Sequence, residues 1–98
     1  MKKIVIEMTF DADVIEVPDA IEQNIEGIQS QFDKWIHNKA IEHKYWFYKD
    51  GKKYCPQFRG DAFVEYLNEI VLKDSGEKAK MVERYVENYD SSLKSIWF

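Results

Sequence analysis

Cysteine is nearly absent from this chain of 98 residues: Cys55 stands alone, which excludes an internal disulfide and a cysteine-built zinc site. Glycine is sparse. Gly27, Gly51, Gly60 and Gly76 are scattered, and neither a phosphate-cradling loop nor a dinucleotide fingerprint can be assembled from that spacing. No nucleophile-elbow pattern occurs either. No stretch approaches the ~20 apolar residues of a membrane-spanning helix. The opening Met1 to Ile6 imitates a secretory signal, but Glu7, Thr9 and Asp11 cut its apolar run short. There is no linker rich in Gly and Ser, no low-complexity segment and no internal repeat. These absences predict a cytoplasmic, non-enzymatic chain with no catalytic residues, no metal, no cofactor and no membrane contact.

Apolar residues, by contrast, make up 45% of the chain and aromatics 15%, with three Trp, six Tyr and six Phe. That much apolar surface offsets the entropy of ordering a short chain and predicts one folded domain over residues 1–98. The net charge is −4, unevenly spread. From Glu7 to Asp33 every charged side chain is acidic, whereas residues 34–59 are dominated by Lys. Such asymmetry bears on partners more than on fold.

The apolar pattern predicts an α+β fold in the order β-(β)-α-β-β-α-α. It is a small antiparallel sheet, formed by the N-terminal strands and a hairpin over 43–57, with about three helices packed on it. Residues 2–10 alternate as a strand, and the β-branched Val14, Ile15 and Val17 suit a second. Pro18 opens a helix running to about Asn38, whose apolar stripe is Ile21, Ile25, Ile28, Phe32, Trp35 and Ile36. Gly27 inside that helix reads as a close approach to a neighbour. Asp50-Gly51 signals a tight hairpin turn, pairing Lys49 with Lys52, Phe47 with Tyr54 and Trp46 with Cys55. Gly60-Asp61 starts a second helix to about Lys73. The spacing of Ala79, Val82, Val86 and Tyr89 predicts a third over 77–89. Phe32, Trp35, Phe47, Leu67, Ile70 and Val82 are the expected core.

Two surfaces are candidate sites. Asp19, Glu22, Glu26 and Asp33 fall on the polar side of the first helix, a carboxylate array suited to a protein partner with a basic surface. This supports a protein-binding or regulatory module. By analogy of size and charge, such a module includes acidic inhibitors of nucleic-acid-binding enzymes, such as the anti-CRISPR or anti-restriction proteins of phages and mobile elements. The alternative is the hairpin, where Lys44, Trp46, Tyr48, Lys49, Lys52, Lys53 and Arg59 interleave rings that stack on bases with cations that neutralise phosphate. A small nuclease toxin using His43, Lys44, Tyr45 and Arg59 is a second alternative. His37 lies four residues after Asp33, and Cys55 faces Trp46 across the expected hairpin; each reads more simply as a structural group. The apolar tail, Leu93 to Phe98, is expected to pack back on the domain, with self-association through it as the other outcome.

Overall fold

The computed structural model describes residues 1–98 and is α+β. Strands β1 (Lys2–Glu7) and β2 (Ala12–Val17) form an antiparallel hairpin closed by the Met8 N–H donating to the Asp11 carbonyl at 2.8 Å. Helices α1 (Asp19–Gln23) and α2 (Ile25–His37) follow. A hairpin of β3 (Trp46–Lys49) and β4 (Lys52–Pro56) comes next, then α3 (Gly60–Tyr66), which runs on into a π-helical turn, Leu67–Val71. The chain ends in β5 (Lys80–Val86) and β6 (Lys94–Trp97).

The main sheet is mixed, with strand order β5-β2-β1-β6, and β3-β4 stands apart from it as a second sheet. β6 runs parallel to β1, so the chain must cross from one sheet edge to the other after β5. Residues 87–93 make that crossing over the face opposite the helices, where Leu93 and Val86 cover Val5, Ala12 and Val14. The Tyr89 hydroxyl fastens this strap by donating to the Glu7 carboxylate. The other face carries the main core. Ile4, Ile6, Ile15, Val17 and Ile96 meet Ile21, Ile25, Phe32 and Ile36 from α1 and α2, and Ala62, Phe63, Tyr66 and Leu67 from α3 and the turn after it.

Several expectations are corrected. The helix expected over 77–89 is strand β5. Asn68 holds its lead-in extended: the side-chain amide accepts from the Ala79 N–H at 2.7 Å and donates to the Ala79 carbonyl at 3.1 Å. The long first helix breaks at Asn24, whose side chain donates back to the Ala20 carbonyl, a local bond that competes with helix propagation. Gly27 faces open space rather than a close neighbour. Of the expected core, Phe32 and Leu67 are fully buried and Trp35 is half-buried, but Phe47, Ile70 and Val82 are exposed. The tail packs back as a strand, with Ile96 inside and Trp97 out.

In the hairpin, Lys49 pairs with Lys52 as expected. An extra residue at Tyr54 then shifts the register, so that Phe47 meets Cys55 and Trp46 meets Pro56. Asp50 and Gly51 have φ of +53° and +74°, the conformation of the turn type that matches strand twist. Gly51→Val therefore forces a β-branched side chain into left-handed backbone and should cost about 1–2 kcal/mol, read as a lowered urea midpoint at unchanged slope.

Candidate interaction surfaces

The β3-β4 hairpin presents one face to solvent. Phe47 and Tyr54 meet edge to face with ring centroids 6.3 Å apart, and the Lys49 ammonium lies 5.3 Å from the Tyr54 ring centre. Lys52, opposite Lys49 in the register, shares that face. Phe47 is 42% exposed and Tyr54 59%, and neither lysine has a carboxylate partner. Tyr48, on the other face, is also exposed.

The base of the hairpin is built differently. Trp46 is buried, its indole N–H donating to the Ile41 carbonyl at 2.8 Å and its ring stacked on His43 at 4.7 Å with the planes 8° apart. The Lys53 ammonium donates to the Lys39 carbonyl and the Glu42 carboxylate while lying 5.5 Å from the Trp46 ring centre. Lys44 pairs with Glu65 at 3.8 Å. The Tyr45 hydroxyl is pushed to higher pKa, first by burial and then by its hydrogen bond to Glu65. Of the cations predicted to meet phosphate, Lys49 and Lys52 remain free, whereas Lys44 and Lys53 are paired and Trp46 is packed away.

Arg59 is also committed elsewhere. Its guanidinium donates from Nη2 to Asp11 at 2.7 Å and to Asp13 at 2.8 Å, and it lies 4.4 Å from the Tyr85 ring centre. Asp13 has no exposed surface and accepts further from the Gly60 N–H at 3.0 Å and the Tyr85 N–H at 3.2 Å. A Cβ on Gly60 would stand 3.0 Å from the Asp13 carboxylate and 3.1 Å from the end of Ile6, so any side chain here would press on its neighbours where α3 starts against β2. Tyr85 sits at a bulge of β5 with φ of +58°, unusual for an aromatic residue. Burial alone would raise the Asp13 carboxyl, but Arg59 and the two backbone donors outweigh it and hold the group below the ordinary carboxylate range. Asp13 was legible in sequence only as a polar residue among Ala12, Val14 and Ile15. Nothing local announced its partners.

The acidic residues of the first helical segment do not form one array. Asp19 and Glu22 lie on α1, and Glu26 and Asp33 lie on α2 beyond the break. Asp19 is 3.3 Å from the Met1 amino group, and Glu22 is half-buried, 3.6 Å from Lys94. Glu26 and Asp33 are exposed without cationic partners. A cavity of about 570 Å³ opens beside the break, lined by Gln23, Asn24, Glu26, Gln31 and Lys94 among others.

No family model, curated protein or solved structure matches the chain. No three His, Cys, Asp or Glu side chains converge as metal ligands would. His37 Nδ1 is 2.8 Å from the Asp33 carbonyl and closes the end of α2, rather than facing the Asp33 carboxylate. His43 has both ring nitrogens engaged by backbone, and Arg59 is bound by the Asp11 and Asp13 carboxylates. Cys55 is a half-buried free thiol opposite Phe47. No helix is long and apolar enough to cross a membrane.

Proposed function

We propose that the protein is a non-enzymatic binding module whose recognition element is the outer face of the β3-β4 hairpin, and that its partner is a protein. The observation that carries this is the pairing of exposed Phe47 and Tyr54 on a hairpin whose base is fixed by buried Trp46. Aromatic side chains on a rigid support lose little entropy on binding and dominate interface energetics. The lysines beside them serve as a rim that favours an acidic contact patch. Two free ammonium groups on the hairpin, in a chain of net charge −4, are few for nucleic acid, whose affinity comes mainly from many phosphate contacts.

A second reading keeps the acidic helices as a docking face for a basic protein, as inhibitors of nucleic-acid-binding enzymes would use. The absence of cationic partners at Glu26 and Asp33 favours it. Affinity capture from the native cell with mass spectrometry identifies the partner, and two double variants then separate the faces. Phe47→Ser with Tyr54→Ser should reduce affinity for the captured protein at least about 30-fold, as loss of a central anchor does. Folding stability should shift by only about 0.5 kcal/mol per exposed site. Glu26→Lys with Asp33→Lys should leave affinity within about threefold on the first reading. The reverse result transfers the site to α2. Tight, salt-sensitive binding to an oligothymidylate, lost with Lys49→Glu and Lys52→Glu, would replace the protein partner with single-stranded nucleic acid.

A further inference from the structure

The eight residues between α2 and β3 are tied down at both ends by one imidazole. His43 Nε2 is 2.9 Å from the Ile36 carbonyl, in the last turn of α2, and Nδ1 is 3.2 Å from the Tyr45 amide nitrogen at the entry to β3. A carbonyl only accepts and a backbone N–H only donates, so the tautomer is settled: Nε2 carries the hydrogen and Nδ1 is the acceptor. The ring is held in place by Trp46 stacked on it, with Trp35 at 5.1 Å and Tyr45 at 5.8 Å between ring centres. Helix end, loop and hairpin therefore meet at one neutral ring.

Imidazole is the side chain that changes charge between about pH 5 and 8. A proton added at Nδ1 would turn the acceptor into a donor aimed at another donor, the Tyr45 N–H, and that leg would be lost. The other leg would gain, because a charged donor bonds a carbonyl more strongly and a helix C-terminus favours positive charge. The charged groups around the ring offer the new cation no partner. From β4, the Lys53 ammonium already lies over Trp46 and repels it. From the loop, Glu42 is taken by Lys53, and from α3, Glu65 is taken by Lys44 and Tyr45. On α2, His37 turns its Nδ1 to the Asp33 carbonyl.

We propose that His43 is a pH-sensitive latch between α2 and the hairpin, and that its protonation releases the Tyr45 leg while keeping the Ile36 leg. Acid would thus loosen the entry to the recognition hairpin without unfolding the domain. The inference stands whatever the hairpin binds.

Nuclear magnetic resonance of the full chain, titrated from about pH 8 to about pH 5, tests it. The Tyr45 amide resonance should move with the same midpoint as the His43 ring protons. At the acidic end its hydrogen exchange should be roughly 3- to 10-fold faster than in His43→Gln at the same pH, the worth of one hydrogen bond. Glutamine keeps one donor and one acceptor but cannot be protonated in this range. The His37 ring protons, followed in the same spectra, supply the control, since the Tyr45 amide should not track them. A Tyr45 amide indifferent to the His43 midpoint would overturn the proposal, and so would a His43 ring that takes up no proton above about pH 5. Should His43→Gln not fold, shared midpoints in the wild-type chain still decide.

Discussion

Asp13→Ala should destabilise the protein by about 3–5 kcal/mol in urea unfolding, the cost of breaking a buried ion pair and leaving two backbone N–H groups without an acceptor. The carboxylate is fully buried and serves three donors on three segments: Arg59, the Gly60 N–H that begins α3, and the Tyr85 N–H at the bulge of β5. Removing it orphans the two backbone donors and leaves Arg59 with Asp11 as its one carboxylate partner. Replacing Asp13 and Arg59 together by apolar residues should recover only part of the loss, because the two backbone donors would still lack an acceptor. Acid has the same target. The Asp13 pKa is depressed in the folded state, so its contribution is fully present above the ordinary unfolded value of about 3.9 and is lost as pH falls through the lower folded one. Wild-type stability should accordingly fall below about pH 4 more steeply than that of Asp13→Asn. Parallel pH profiles for the two proteins would remove Asp13 from this role.

Phe32→Ala should cost a similar amount, about 3–5 kcal/mol. The ring has no exposed surface, and its centroid lies 5.1–6.1 Å from those of Trp35, Phe58, Phe63, Tyr66 and Phe98. These neighbours come from α2, the approach to α3, α3 itself and the chain end, so truncation opens a cavity where four segments meet. Edge-to-face contacts add about 0.5–1.5 kcal/mol per pair beyond the area buried. Phe47→Ala supplies the contrast. It removes an exposed ring of the same size and should stay within about 0.5 kcal/mol. Equal losses at the two positions would show that burial does not separate core from recognition surface here.

Local signals in the sequence were dependable where the structure is local. Asp50-Gly51 announced its turn, Pro18 the start of α1, and the stripe from Ile21 to Ile36 the buried side of both helices. The errors arose where spacing was altered by single inserted residues. β5 carries two register shifts against β2, each adding a residue. Bulges of that kind break the alternation of a strand and leave Ala79, Val82 and Val86 at intervals that imitate a helix. The extra residue at Tyr54 did the same to the expected pairing of Phe47. Charge misled differently. Arg59 follows four lysines on the hairpin, but its partners are Asp11 and Asp13, brought to it only by the fold. Glu22 and Lys94 are likewise far apart in sequence, so the neutralisation of half the acidic face was invisible in the chain.

The parallel pairing of β1 with β6 carries a consequence for how the molecule assembles. Ile4 is matched with Lys94 and Glu7 with Trp97, among the longest loop closures the chain permits. Such contacts demand their entropy before returning any energy, so the β1-β2 hairpin and helices can form well before the last strand docks. Meanwhile β1 offers an open edge of Ile4, Val5 and Ile6, a template for a second unfinished chain. Lys2 and Lys3 stand at the head of that edge. In a parallel, in-register pairing of two such edges their like charges lie opposite one another and repel, so refolding yield should depend on protein concentration and improve when salt is kept low.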